Sequence, residues 1–241
     1  MEVAYLGTNY AGFQRQENAI TVQGEVEKAL EIFFREDVEL TGSSRTDAGV
    51  HARQNYFHFD FTGNVSEQVA YHLNAILPAD IVVKKIFPVN DNAHCRFDAE
   101  SRKYVYSIYT YKDPFIKDQA YYFPYRMDDQ ILHEAASMIL HGSDFRSFSK
   151  KHAQNKTTQC KIFQSEWQEH DGQLQYHVSA NRFLRGMVKA LTATMLAFAR
   201  GKISAAQFEY LLQGHDIASA FFEVPSHGLT LHQVNYPELP I

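Results

Sequence analysis

Cysteine is scarce in this chain: Cys95 and Cys160 are the two in 241 residues, and no Cys-x-x-Cys spacing occurs. That argues against a zinc ribbon or a disulfide framework and fits a reducing, cytoplasmic compartment. No stretch approaches the roughly 18 apolar residues that span a bilayer. The opening residues, Glu2-Val3-Ala4-Tyr5, lack the charged start and apolar run of a leader, so neither signal peptide nor membrane segment is expected. A basic excess is missing too. With 23 Lys and Arg against 28 Asp and Glu, the formal net charge of −5 weighs against a protein that coats nucleic acid through bulk charge. Any RNA site must be a local basic surface. His51, His58, His152 and His177 show neither His-x-x-x-His nor Glu-x-x-His spacing, so no metal site is expected. What is present is an ordinary globular composition, 45% hydrophobic and 21% charged, in a chain long enough for one large core or two small ones.

The most informative stretch is Thr41-Gly42-Ser43-Ser44-Arg45-Thr46-Asp47-Ala48-Gly49-Val50-His51-Ala52, which sets an acid, a guanidinium and an imidazole among small residues. Small residues let a ligand approach the backbone, and a guanidinium beside a carboxylate favours its ionised form. Such a carboxylate can act as a nucleophile or a base. The same composition suits a polar turn between strands with Arg45 and Asp47 paired at the surface. Composition alone does not separate the two.

Around this stretch the chain reads as alternating strands and helices. Glu2 to Tyr5 is an expected strand, Thr21 caps a helix with Val22, Val26, Leu30 and Phe33 at near-helical spacing, and Val38 to Ser43 is a second strand. Asn55 to Phe61 alternates Phe57, Phe59 and Phe61 against polar neighbours, as a half-buried strand does. Ser66 can cap a helix ending near Pro78, and Ile81 to Phe87 follows as a strand. That is a split βαβ order. Beyond the polar segment Pro88 to Asn92 come a strand at Tyr104 to Tyr111, a helix at Asp128 to Leu140, and a hairpin signalled by His170-Asp171-Gly172. A long helix from Phe183 to Arg200, a shorter one at Ser204 to Leu212 and a strand at Gly228 to Tyr236 close the chain. The fold class expected is α+β: two ferredoxin-like, split βαβ halves, 1–92 and 93–241, sharing a mostly antiparallel sheet with a cleft between them.

Three further constellations carry charge or aromatic rings. Cys95 to Tyr106 combines Arg96, Arg102 and Lys103 with Phe97, Tyr104 and Tyr106, a composition suited equally to phosphate contact with base stacking and to a solvated strand edge. Arg182, Arg185 and Lys189 stand at i, i+3 and i+7, one face of the expected long helix, with Leu184, Val188, Leu191, Met195 and Phe198 as its buried stripe. Lys150, Lys151, Lys156 and Lys161 follow Asp144-Phe145-Arg146-Ser147-Phe148 and read as a solvated run or an RNA-backbone patch.

Residues Arg45 to His51 resemble the Arg-Thr-Asp-Ala-Gly-Val-His signature of the TruA family of tRNA pseudouridine synthases, with identity at all seven positions. Four other segments are similar to family motifs in the same order. Gly7 to Gln16 resembles the opening loop, with Leu6 where the family has Asp and Phe13 where it has Trp; Cys95 to Tyr106, Asp144 to Phe148 and Asn181 to Lys189 resemble the rest. Ser44 stands where a Gly is usual, and Lys189 where an Arg pairs with the catalytic Asp, keeping the charge without the bidentate fork. The resemblance implies a pseudouridine synthase fold with a central RNA-binding cleft and a cytoplasmic, cofactor-free and metal-free homodimer. It would isomerise uridines at positions 38, 39 and 40 in the anticodon stem-loop of tRNA. Asp47 would be the nucleophile, Tyr104 the stacking platform, Arg45 and Lys189 the charges around them, and Arg102, Lys103, Arg182 and Arg185 the RNA contacts. The departures at Leu6 and Lys189 leave two alternatives, a degenerate RNA-binding protein and a synthase for another RNA. A metal-dependent hydrolase using Asp47 and His51 is the remaining rival.

Overall fold

The computed structural model describes residues 1–63, 65–66, 68–150, 157–215 and 220–237. In chain order the elements are β1 (Glu2–Tyr5), α1 (Val22–Phe34), β2 (Thr41–Gly42), β3 (His51–His58), α2 (Gln68–Ile76), β4 (Ile81–Lys85), β5 (Ser101–Tyr109), β6 (Tyr121–Tyr122), α3 (Asp129–Leu140), β7 (Ile162–His170), β8 (Gln173–Ala180), α4 (Met187–Ala199), α5 (Ala205–Leu212) and β9 (Leu229–Asn235). The fold is α+β with mixed strand pairing. No helix among the described residues is long and apolar enough to cross a membrane.

Contacts gather the chain into two compact units, Met1–Glu100 with Thr230–Ile241, and Ser101–Leu229. The segment 93–100 and most of the closing strand therefore go with the first unit, because Tyr236 donates its hydroxyl to Cys95 O at 2.6 Å and packs edge-on against Tyr56.

In the first unit β1 pairs antiparallel with both β3 and β4, β2 pairs antiparallel with β3, and β9 pairs parallel with β3 through His51↔Thr230 and Ala52↔Leu231. α1 begins where expected, since the Thr21 side chain accepts from Gly24 N. Its buried face holds Val22, Val26, Ala29 and Leu30, and also Glu27. The Glu27 carboxylate is tied in by Gln23 Nε2 at 2.8 Å, Leu40 N at 3.2 Å and Arg15 at 3.2 Å, so the opening loop, α1 and the entry to β2 share one polar knot. β3 runs from His51 to His58 rather than from Asn55 to Phe61. The aromatic alternation outlasts the ladder: Phe61 leaves β3 and packs on Phe34, ring centroids 4.1 Å apart.

In the second unit β8 lies between β5 and β7, antiparallel to both, with β6 parallel to β5. The hairpin between β7 and β8 turns at Asp171 and Gly172, whose φ values of 50° and 70° are those a two-residue primed turn requires. Asp128 caps α3, its carboxylate accepting from Gln130 N and Ile131 N. The helix expected from Phe183 begins instead at Met187, because Gly186 sits at φ 75° and stops any helical continuation backwards. The buried stripe of α4 is no stripe either: of its residues only Lys189 escapes full burial. Arg182 and Arg185 are therefore on the loop that enters α4 and do not share a helix face with Lys189.

Candidate active site

The signature stretch is a loop between β2 and β3, and its outward-facing residues are determined by what it rests on. Thr46 is buried and shares a 2.8 Å hydrogen bond with the Tyr5 hydroxyl, while its carbonyl accepts from Phe13 N at 3.1 Å. With Thr46 turned inward, its neighbours turn outward: Arg45 is exposed and Asp47 half-buried. Below them Asn55, fully buried, donates to Ser44 O at 2.8 Å and to the Tyr5 hydroxyl at 3.3 Å. The Asp47 carbonyl accepts from Val50 N at 3.2 Å, closing a tight turn through Gly49, whose φ is 78°.

The opening loop braces this turn backbone to backbone. A Cβ on Gly7 would stand 2.0 Å from Val50 O, and one on Gly12 3.0 Å from Thr46 O, so only glycine allows the two loops to lie this close. Gly7 N donates to His51 Nδ1 at 2.9 Å and Gly49 N to Tyr10 O at 3.4 Å. Tyr10 is in turn bound through its hydroxyl to Asp80, whose other carboxylate oxygen takes Asn9 Nδ2 at 3.0 Å. Burial and this carboxylate push the Tyr10 phenol far above its usual range, so it stays a donor at any physiological pH. Phe13 is a core residue, 4.6 Å from Phe57 in a stacked pair and pressed against Gly42. The sequence alone allowed the 7–16 loop to be a plain connection; it is the floor of the Asp47 turn.

Two expectations for this loop change. Arg45 has no hydrogen-bond or salt-bridge partner among the described residues, so the surface pair with Asp47 is not made. His51 is buried, with Nδ1 occupied by Gly7 N, which makes it a buttress of the loop rather than the base of a hydrolase. Among the described residues no group of three or more His, Cys, Asp or Glu is placed to hold a metal. Ser44, where the resemblance has Gly, is buried, and its hydroxyl has no hydrogen-bond partner among the described residues.

In the second unit Tyr104 stands half-buried on β5, its ring edge-on to Phe183 at 5.2 Å and 88°. Arg102, two residues earlier and on the same face of the strand, donates to Asn181 O at 3.3 Å; Lys103 faces the opposite side. Asn181 also accepts from Lys161 N through its side chain at 2.8 Å, which fixes the start of the 181–186 loop carrying Arg182, Phe183 and Arg185. The loop's other end is held by Lys150 N, which donates to Arg185 O at 3.0 Å. Tyr104, Phe183, Arg102 and Arg182 thus belong to one neighbourhood built by β5 and this loop. Lys189, one turn into α4, donates to Ser226 Oγ at 3.1 Å.

Phe145 and Phe148 are both fully buried and Asp144 caps its own turn, accepting from Arg146 N at 3.0 Å, so that motif is packing rather than site. Of the lysines after it, Lys151 and Lys156 lie outside the described residues, as does His152. Lys161 covers the ring of Phe163 at 5.6 Å. The residues that sequence reasoning did not single out are Tyr5, Thr46, Asn55 and Asp80 in the first unit and Ser226 in the second. Tyr5, Asp80 and Ser226 each meet partners 37 to 71 residues away in the chain, a signal no local pattern carries.

A family model described as tRNA pseudouridine synthase matches residues 1–98 and 135–237. The chain is 43% identical to the tRNA pseudouridine synthase A of Bacteroides fragilis, covering 98% of this chain and 95% of that protein. It is 41% identical to the synthase of the same name from Parabacteroides distasonis, over 98% and 94%. The Staphylococcus aureus protein of that name is 34% identical over 99% of this chain and 90% of its own length. Spanning nearly the whole of each relative and matched by the model over both units, the chain belongs to the tRNA pseudouridine synthase family.

Proposed function

We propose that this protein isomerises uridine to pseudouridine in the anticodon arm of tRNA, at positions 38, 39 and 40, with Asp47 as the nucleophile. The observation that carries the reading is the Asp47 turn: a half-buried carboxylate in a loop held from below through Thr46, Ser44 and Val50, in a chain of this family. Positioning of that kind is what a nucleophile needs, since misplacement by about 1 Å can cost on the order of 100-fold in rate.

The target uridine must leave its stack at a cost of a few kcal/mol, and stacking on Tyr104, worth about 1–3 kcal/mol, offsets part of it. An Asp47 oxygen attacks ring carbon 6 or the anomeric carbon, and the bond between N1 and the anomeric carbon breaks. The base turns, carbon 5 joins the anomeric carbon, the hydrogen on carbon 5 leaves as a proton, the freed N1 takes one up, and the adduct with Asp47 is released. Reactant and product are isomers, so the balance needs no electron carrier. Arg45 and Lys189 supply positive charge beside the developing anion, and Arg102, Lys103, Arg182 and Arg185 meet the phosphates. The same proposal includes two split βαβ halves on one mostly antiparallel sheet, a central RNA cleft, a homodimer and a cytoplasmic place of work. Support for the first half is the strand order β4-β1-β3-β2 with α1 and α2 between strands.

tRNA carrying tritium at carbon 5 of its uridines tests the reaction directly. Wild-type protein should release tritium to water with chelator present and no methyl donor added, and Asp47→Asn should release none while binding tRNA nearly as well. Tight binding of the tRNA without release by the wild type would leave a binding protein of this fold as the better account.

A further inference from the structure

We infer that Ser226 is a positioning residue that orients the Lys189 ammonium for the reaction. The inference deepens the function proposed above and rests on the role given there to Lys189.

Lys189 is the one residue of α4 that is not fully buried, and its Nζ donates to Ser226 Oγ at 3.1 Å. An arginine in this place would carry its orientation in the plane of its guanidinium. An ammonium on a four-carbon stem has three equivalent donors and no plane, so something outside the side chain must set its direction. Ser226 is well placed to do so because its turn is itself immobilised. Pro225 O, the residue before, accepts the Tyr106 hydroxyl at 2.8 Å. Gly228, two residues on, is packed against the phenol end of Tyr106, where an added Cβ would come within 2.6 Å of Cζ. Tyr106 is wholly buried on the face of β5 that also carries Tyr104. One turn therefore registers the lysine of α4 against the strand of the stacking tyrosine.

The intervening residue fits the same role. Burial above all, with Lys189 adding to it, holds His227 below its ordinary pKa, although Asp118 and a backbone bond to Ala120 pull the other way. A neutral imidazole next to Ser226 leaves the ammonium without a cationic neighbour in the turn.

Two measurements test this, one of them independent of turnover. In the protein without RNA, nitrogen-15 NMR should show slowed proton exchange at the Lys189 ammonium, identified by its loss in Lys189→Arg. Ser226→Ala should speed that exchange severalfold and Ser226→Thr, which keeps the hydroxyl, should not. In tritium release, Ser226→Ala should lower kcat about 10-fold with KM for tRNA little changed. Ser226→Thr should restore most of it, and melting temperature should hold in both variants. Unchanged exchange in Ser226→Ala overturns the inference whether or not the wild type is active. So does an active wild type whose kcat Ser226→Ala leaves intact, or a kcat loss that Ser226→Thr shares. A wild type that releases no tritium counts instead against the proposed reaction, and the exchange measurement then decides the positioning alone.

Discussion

The Asp47 turn and the Tyr104–Lys189 neighbourhood are held by different means. The Asp47 turn is fixed largely through its main chain: Phe13 N on Thr46 O, Val50 N on the Asp47 carbonyl, Asn55 Nδ2 on Ser44 O, and glycine backbone laid against Val50 and Thr46. Tyr104, Arg102 and Lys189 are fixed by side-chain contacts, with Phe183, with Asn181 and with Ser226. The proposed roles fit this difference: a nucleophile must meet one atom, which a clamped backbone serves, while stacking and phosphate contacts tolerate small displacements of side chains on a strand and a loop. The contrast predicts that the first region breaks abruptly and the second wears down by degrees.

The largest effect should come from Gly7→Ala. Its Cβ would lie 2.0 Å from Val50 O and 2.7 Å from Val50 C, both main-chain atoms that cannot swing aside. Relieving the overlap must push the two loops apart, which costs roughly 1–3 kcal/mol or more in packing. It also displaces the Asp47 turn. Turnover should fall by about 100-fold or further, and thermal unfolding should move down by several degrees. Gly201→Ala is the control: nothing lies within 4 Å of that Cβ, and the penalty comes only from its φ of 67°. It should cost about 1 kcal/mol and leave turnover alone. Equal losses of activity in the two variants would mean that Gly7 acts through general stability and not through the turn.

The same contrast explains what could be read from residues alone. The heptapeptide Arg45 to His51, the cap at Thr21, the helix starting at Asp128 and the Asp171-Gly172 hairpin were legible because each is local and sits beside its own consequence in the chain. The floor of the active turn was not, because Tyr5, Gly7, Phe13 and Asn55 reach it across gaps of up to 44 residues. A buried Glu27 on α1 was equally hidden, since its Gln23 and Leu40 partners become neighbours only after folding. The start of α4 was misplaced for the opposite reason. The apolar spacing of Leu184, Val188 and Leu191 continues smoothly through Gly186, while the backbone there does not.

A smaller effect is expected at Tyr104. Its ring meets Phe183 edge-on, 5.2 Å between centroids, and that ring is the face offered for stacking in the proposed reaction. Tyr104→Phe should bind tRNA near normally, and Tyr104→Ala should weaken binding by roughly 1–3 kcal/mol in equilibrium titration. Equal affinities in both would remove Tyr104 from the RNA surface and break the neighbourhood reading.

The smallest effect concerns Lys150, at the hinge between the motif Asp144 to Phe148 and the 181–186 loop. Its main-chain N–H is committed to Arg185 O, and its side-chain stem runs past Gly186, where an added Cβ would come within 3.0 Å of Cγ. That stem therefore covers the entry to α4 on the side of the arginine loop, and in the proposed tRNA complex its charge would belong to the local basic surface an acidic chain needs. Affinity for tRNA should fall steeply with salt despite the net charge of −5, because each neutralised phosphate in a duplex stem contributes about −0.9 to the logarithmic slope. Lys150→Gln keeps most of the stem and removes the charge, so the fold should be untouched and the slope should flatten by about one such contribution. Lys150→Met, which also keeps a long stem, should match it. If both variants keep the parent slope, the positive surface ends at Arg182 and Arg185, and Lys150 serves only to pack the loop that carries them.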